Sequence, residues 1–377
     1  MVMPLAKSGL VSPFLLFLAF VAALLVTMLL LPKLSLIASR FGLLDYPSRR
    51  KMHETSKPVV GGIGMASAFC FSSILFIPLT HMGGFYAGMI MLVIVGFLDD
   101  YRELNHGWKL VAQVLAAMLI IFFSRTVLHT FGNLFSSGAI NFGGYAIPVT
   151  IFCVVGVINA FNMIDGVDGL AAGISLIAFV SFAVLSAMDN QIKILVLSVA
   201  MTGALIGFLK YNWHPAQVFM GDAGSFLLGC TAAFISVAIT QQAQSVVRPV
   251  APLLILAVPI VDTVTVMVTR IMKGKSPFCA DRKHLHHLLL RLGLSKKRCV
   301  ALILLMSAFF SSVAVFGTIL RIPEHYLFAT FLVYFFSYFG VSCYIRKRKV
   351  MRVILRYKRV LASRGLAVRE TGWGAIR

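Results

Sequence analysis

Acidic residues are scarce in this chain: 13 Asp and Glu stand against 34 Lys and Arg in 377 residues. Charged residues of both signs make up only 12% of it, roughly half the share of a soluble globular domain. That shortage excludes a water-facing surface of ordinary extent. The six cysteines, Cys70, Cys153, Cys230, Cys279, Cys299 and Cys343, are scattered and form no C-x-x-C pair. A disulfide framework and a cysteine zinc site are both excluded on that spacing. There is no internal repeat, no heptad pattern and no low-complexity linker, so a solenoid, a coiled coil and a string of domains are excluded too. What is abundant is apolar: 59% of residues are hydrophobic, in long blocks. Such blocks belong in a bilayer. The net charge of +21 would suit nucleic acid, but the basic residues lie between apolar blocks. There they act as topology signals and contacts for membrane lipids, and nucleic acid is set aside as a partner.

A transmembrane helix needs ~20 mainly apolar residues. Eleven segments qualify: 11–32, 59–80, 84–98, 108–124, 145–161, 169–187, 191–210, 223–241, 249–270, 299–320 and 324–345. The first is longer than the roughly 7–15-residue core of a signal peptide and reads as a retained span. With alternating orientation, 29 of the 34 basic residues fall on one side and 5 on the other. The positive-inside rule then puts the N-terminus outside and the C-terminus in the cytoplasm. The expected fold is an all-α polytopic membrane protein of about 11 spans. Residues 1–345 form the catalytic membrane domain, and 346–377 a basic tail suited to anionic lipid headgroups.

The few acids cluster on the basic side. Asp99 and Asp100 end the third span in GFLDDYRE. Asp165 and Asp168 follow the fifth in NAFNMIDGVDGL, after Asn159 and Asn162. Asp222 precedes the eighth in VFMGDAGS, and Asp281 stands before KHLHHLLLRLG. The opposite side offers only Asp189 and Glu324. Carboxylates gathered at a membrane boundary repel one another and need a cation. Carboxylate and amide oxygens with phosphate and water suit Mg²⁺, with Mn²⁺ as a substitute, better than zinc. The glycines of DGVDGL and MGDAGS allow close backbone approach to a phosphate, although each alone is equally a helix cap. His284, His286 and His287, beside Lys283, Arg282 and Arg291, form an oxyanion or diphosphate site in a solvated loop. An amphipathic surface helix using Leu285, Leu288, Leu289 and Leu292 is compatible with the same residues.

Together these motifs resemble the polyprenyl-phosphate N-acetylhexosamine-1-phosphate transferases, the family of WecA, TagO and MraY. The likeness runs through nearly the whole chain, including GLLDYPSRRKMH with PVVGGIG and the stretch KGKSPFCADRKHLHHL. The last stretch is similar to the WecA branch. MraY proteins have three adjacent histidines followed by Phe-Glu, and here Leu285 interrupts them. Glu103 stands where close WecA relatives carry a third Asp.

The resemblance implies transfer of N-acetylglucosamine-1-phosphate from a UDP-N-acetylhexosamine, here UDP-N-acetylglucosamine, to undecaprenyl phosphate at the cytoplasmic face of a bacterial inner membrane. It implies Asp222 as metal ligand, supported by Asp99 and Asn162. Asp99 and Asp100 would position metal and lipid phosphate, and which of them serves as a base is left open. Asn159, Asn162, Asp165 and Asp168 would bind the nucleotide, and His284, His286 and His287 the diphosphate or sugar. Lys51, His53 and Lys57 would touch phosphate, a role that stands beside plain positive-inside charge. A homodimer is compatible with this reading, and the oligomeric state is left open. Two rivals are weaker. A CDP-alcohol phosphotransferase needs Ala-Arg after its first Asp-Gly, which DGLAAG lacks, and a transporter would place its polar residues near mid-bilayer.

Overall fold

The computed structural model describes residues 13–46, 56–276 and 284–363, with side chains up to 345. Two compact units divide the chain, Met1–Phe331 and Leu332–Arg377. The first holds every described site residue.

The elements in order are α1 (Pro13–Phe41), β1 (Leu44–Asp45), β2 (Lys57–Pro58), α2 (Gly61–Phe76), α3 (Gly83–Arg102), α4 (His106–Ser124), α5 (Ala146–Ile164), α6 (Leu170–Met188), α7 (Ile192–Asn212), α8 (Gly221–Thr240), α9 (Val250–Ile255), α10 (Ala257–Ile271), α11 (Leu285–Arg291), α12 (Lys296–Ile319) and α13 (Glu324–Ser363). The protein is an all-α membrane protein. Among the described residues, nine helices are long and apolar enough to cross a bilayer. The other two expected spans are also helical but differ in kind. The second, α2, has only 16 residues, and the ninth is broken at Leu256 into α9 and α10.

The centre of the first unit is α8. Nearly all of its residues are buried, against α3, α5 and α2. Its sequence, GDAGSFLLGCTAAFISVAIT, is rich in small residues, and without water to drive association such residues let membrane helices approach closely. The approach is tightest at its first turn. A Cβ on Gly62 of α2 would lie 2.1 Å from the Gly224 nitrogen, and one on Gly96 of α3 would lie 2.4 Å from the Ala223 nitrogen. Glycine at both positions is therefore what lets α2 and α3 clasp the start of α8. The clasp continues in the backbone. The amides of Gly61 and Gly62 donate to the carbonyls of Phe219 and Met220, both at 3.0 Å, and Phe219 donates to Pro58 at 2.9 Å. The PVVGGIG stretch thus serves as the seat of α8, with β2 paired antiparallel to β1, Asp45 opposite Lys57.

At the other end of α6, Asp189 accepts from the Ser245 hydroxyl at 2.8 Å and the Val246 amide at 3.1 Å. Glu324 accepts from the Asn133 amide at 3.0 Å. These two acids brace loops.

Candidate active site

Asp99 and Asp100 are neighbours in the last turn of α3, and the structure gives them different partners. The chain turns sharply after them: Glu103 adopts a left-handed conformation, φ 48°, and the Leu104 amide donates to Asp99 Oδ1 at 2.7 Å. Asn105 then caps α4 through the Gly107 amide at 3.0 Å. This tight turn brings Lys109, in the first turn of α4, back over the carboxylates. Its Nζ lies 2.9 Å from Asp99 Oδ2 and 3.1 Å from Asp222 Oδ2. Asp100 faces the start of α8 and accepts from the amides of Asp222 at 2.8 Å and Ala223 at 3.3 Å. A carboxylate on these amides satisfies orphan donors and complements the helix dipole. Gly221 makes room for it. Its φ is +72°, and a Cβ there would lie 2.3 Å from Asp100 Oδ2.

Asn162, in the last turn of α5, donates from Nδ2 to Asp222 Oδ1 at 2.8 Å and to the Ser225 hydroxyl at 3.0 Å. Both carboxylate oxygens of Asp222 are therefore engaged, one by an ammonium and one by an amide. The structure thus joins Asp99, Asp100, Asn162 and Asp222. Asn159, one turn earlier, donates instead to Gln113 Oε1 of α4 at 2.7 Å and to the Val155 carbonyl at 2.8 Å. It braces α5 against α4.

Asp165 follows α5 directly. It is reached by solvent yet recessed among protein atoms. That confinement, with the charges of Asp222 and Asp168, pushes its pKa up to about 7. Asp168 is tied down: it accepts from His214 Nδ1 at 2.8 Å and the Ala216 amide at 3.2 Å. The Gly169 amide donates to Asn212 Oδ1 at 3.0 Å, so the DGVDG loop is fastened to the loop that leads into α8. A cavity of about 500 Å³ borders Asp168 and His214 and runs along Ile177, Leu304 and Leu305. Its lining includes none of Asp99, Asp100 or Asp222, so it lies apart from that cluster.

The histidines depart from the solvated loop expected of them. His284 is 5% exposed and His286 2% exposed, because α11 packs on α12 and buries Leu285 and Leu288 with them. His286 lies against the DGVDG loop. A Cβ on Gly166 would fall 2.4 Å from its Nε2, so the fourth motif rests on a glycine of the second. The His284 and His286 rings are stacked, 5.9 Å between centroids and 8° between planes, and His287 follows at 4.3 Å. Burial, and then the neighbouring His287, lower the His286 pKa to about 3. His286 is therefore neutral at physiological pH. Lys51, His53, Asp281, Arg282 and Lys283 lie outside the described residues.

Several site residues escape sequence reasoning. Lys109 counted there only as topology charge. Gln113, His214 and Ser225 carried no motif signal of their own. Asp262, buried in α10 and bonded to His284, was the one acid in the interior of an expected span, and that anomaly was a legible signal.

Among the described residues no three His, Cys, Asp or Glu side chains gather as a ready metal cage. The donor set still fits Mg²⁺, which takes one or two carboxylates and completes its octahedron with water and substrate phosphate. Asp99 and Asp222 already share one cation, the Lys109 ammonium.

The fold and site define a class: a membrane-embedded transferase whose polar centre is built at helix ends. The profile of glycosyl transferase family 4 matches residues 82–240, a stretch that holds α3 through α8. The undecaprenyl-phosphate alpha-N-acetylglucosaminyl 1-phosphate transferase of Escherichia coli (strain K12) is 34% identical over 331 residues, 86% of this chain and 90% of that protein. The protein of the same name from Yersinia pestis is 35% identical over 331 residues with the same coverage. A probable undecaprenyl-phosphate N-acetylglucosaminyl 1-phosphate transferase of Bacillus subtilis (strain 168) is 34% identical over 301 residues, 79% of this chain and 83% of that one. The chain belongs to the polyprenyl-phosphate N-acetylhexosamine-1-phosphate transferase family.

Proposed function

We propose that this enzyme transfers N-acetylglucosamine-1-phosphate from UDP-N-acetylglucosamine to undecaprenyl phosphate, releasing UMP, as the first membrane step of a cell-surface polysaccharide. The observation that carries the reading is the centre formed by Lys109, Asp99, Asp222 and Asn162. It is a polar cluster at the ends of apolar helices, and it already holds a cation between two carboxylates. The printed names of the relatives supply the substrate class.

A phosphate oxygen of the lipid attacks the β-phosphorus of the UDP-sugar. The bond from that phosphorus to the bridging oxygen breaks, and UMP leaves with the electron pair. One phosphoanhydride replaces another, so the exchange is close to balanced. The nucleophile is a phosphate monoester whose second pKa is ~6, and near neutral pH it needs no strong base. The main barrier is the meeting of two polyanions. Lys109 answers part of that charge. Asp100 keeps the start of α8 rigid, so that Asp222 stays where Lys109 and Asn162 meet it. His286, neutral and seated on Gly166, offers a ring N–H to the diphosphate or sugar, and His284 beside it presents Nε2 as an acceptor for a substrate hydroxyl. Asp168, held by His214, and Asp165 flank the nucleotide, and Lys51 and His53 are assigned phosphate contacts from the sequence. Asp99 and Asp222, with the Asn162 side chain, would hold Mg²⁺, which neutralises developing charge on phosphoryl oxygens.

In this reading the chain crosses a bacterial inner membrane eleven times, with the motif loops on the cytoplasmic face. The test is a donor panel with the purified full chain, undecaprenyl phosphate and Mg²⁺, measuring UMP release and lipid product. UDP-N-acetylglucosamine should be preferred over UDP-N-acetylgalactosamine and CDP donors. No nucleotide release from any UDP-sugar would overturn the proposal, as would preference for a CDP donor.

A further inference from the structure

The acid in the middle of α10 has no part in the centre around Asp222. Asp262 stands in the apolar run VPIVDTVTVMV and is 1% exposed. A carboxylate in such a place is costly unless its oxygens are bonded. Its oxygens serve two successive residues far along the chain. Oδ1 accepts from the Leu285 amide at 2.8 Å, and Oδ2 contacts His284 Nδ1 at 2.9 Å. One side chain therefore fastens both the backbone at the start of α11 and the ring that precedes it.

We infer that Asp262 is a positioning residue that selects the protonated nitrogen of His284 and, through it, sets the histidine stack at the active site. With Oδ1 already accepting from the Leu285 amide, Oδ2 is assigned as an acceptor too, which puts the proton of the 2.9 Å contact on His284 Nδ1. That leaves Nε2 as the nitrogen that can accept from a substrate hydroxyl or take up a proton. Ring orientation follows from the same bond, since an imidazole held at Nδ1 while its own neighbour's amide is also held cannot turn over. The consequence passes to His286, whose ring lies parallel to His284 and rests on Gly166. The His286 carbonyl is in turn capped by the Cys299 thiol of α12 at 3.7 Å. Asp262 is thus three contacts from the DGVDG loop, through His284 and His286. Its catalytic consequence rests on the proposed role of the histidines in holding the donor. The protonation pattern does not.

The experiment is ¹⁵N-histidine NMR of the full chain in nanodiscs, with the His284 signals identified by their loss in H284Q. The wild type should carry a proton on His284 Nδ1. A wild-type His284 protonated on Nε2 alone would overturn the inference without any variant. D262N keeps an oxygen for the Leu285 amide but offers an NH₂ to the ring. It should move the proton to Nε2 and lower kcat by ~10- to 100-fold, the range seen when a metal-bound histidine loses its orienting partner, with a smaller change in KM for UDP-N-acetylglucosamine. D262E, which retains the carboxylate, should recover part of the rate. An unchanged tautomer in D262N, or a switched tautomer with full turnover, would each overturn the positioning role. Full turnover in H284Q would overturn the role assigned to the histidines and leave the protonation pattern intact, so the two failures are distinguishable.

Discussion

Asp222→Asn is the sharpest test of the centre, because the structure says why so small a change should be large. Both oxygens of Asp222 face donors: Lys109 Nζ at 3.1 Å and Asn162 Nδ2 at 2.8 Å. An asparagine has one oxygen and one NH₂. With its oxygen kept for Lys109, its NH₂ meets the Asn162 NH₂ and fits only if the Asn162 amide turns over; a partly buried group left unsatisfied costs ~1–3 kcal/mol. The substitution also removes a negative charge from the place assigned to the metal, where charge stabilisation amounts to several kcal/mol. Taken together, at least ~3 kcal/mol of transition-state stabilisation should go, or ~100-fold or more in turnover. The assay is UMP release by detergent-solubilised protein with undecaprenyl phosphate and saturating Mg²⁺, alongside a size-exclusion profile to establish that the variant is folded. The double variant D222N/N162D restores both the donor–acceptor match between the two positions and the net charge, and should regain part of the loss. Turnover of D222N near that of the wild type would remove Asp222 from the reacting centre and refute the reasoning.

Chelation with EDTA should abolish activity, and added Mg²⁺ or Mn²⁺ should restore it; activity that survives exhaustive chelation would sink the metal assignment. His286 keeps its folded-state pKa near 3 against ~6.5 in an unfolded chain. Its contribution to stability is therefore complete above pH 6.5 and is lost as pH falls from there toward 3. Thermal unfolding in detergent should accordingly fall off more steeply on acidification in the wild type than in H286Q, and parallel curves would refute the buried, neutral assignment. Gly166→Ala puts a methyl 2.4 Å from His286 Nε2; a ~1 Å displacement at a reacting centre can cost ~100-fold, so turnover should drop with little loss of folded protein, and an unaltered rate would separate the histidines from the DGVDG loop. A cytoplasmic reporter fused after Arg377 should be active and a periplasmic one silent, whereas the reverse pattern would overturn the orientation of every motif.

Apolar run length by itself determined that this is a helical membrane protein, because a bilayer demands ~20 apolar residues per helix and forbids exposed backbone. All eleven expected segments are helical, and nine of them meet the length and composition for crossing. The scarcity of acids made the site legible as well, since a costly residue kept at a membrane boundary marks chemistry. What run length could not reveal was how two expected spans are built: α2 stops at 16 residues, where Ile77 turns extended ahead of Pro78, and the ninth breaks at Leu256. Nor could spacing divide the labour between adjacent Asp99 and Asp100. That depended on which way each carboxylate leaves the last turn of α3, one toward Lys109 and one toward the amides of α8. Asn159 and Asn162 share a motif and a helix face, yet only Asn162 reaches Asp222, because Gln113 of α4 takes the other. Lys109 and His214 became site residues, and Asp262 found its partner, only when segments distant in sequence packed side by side. Their partners lie 113, 46 and 22 residues away, a separation to which a periodic reading of the chain is blind. Burial of the histidines was likewise decided by tertiary packing. Their cationic neighbours suggested a solvated loop, but α11 had an apolar face to bury on α12, and the rings went in with it.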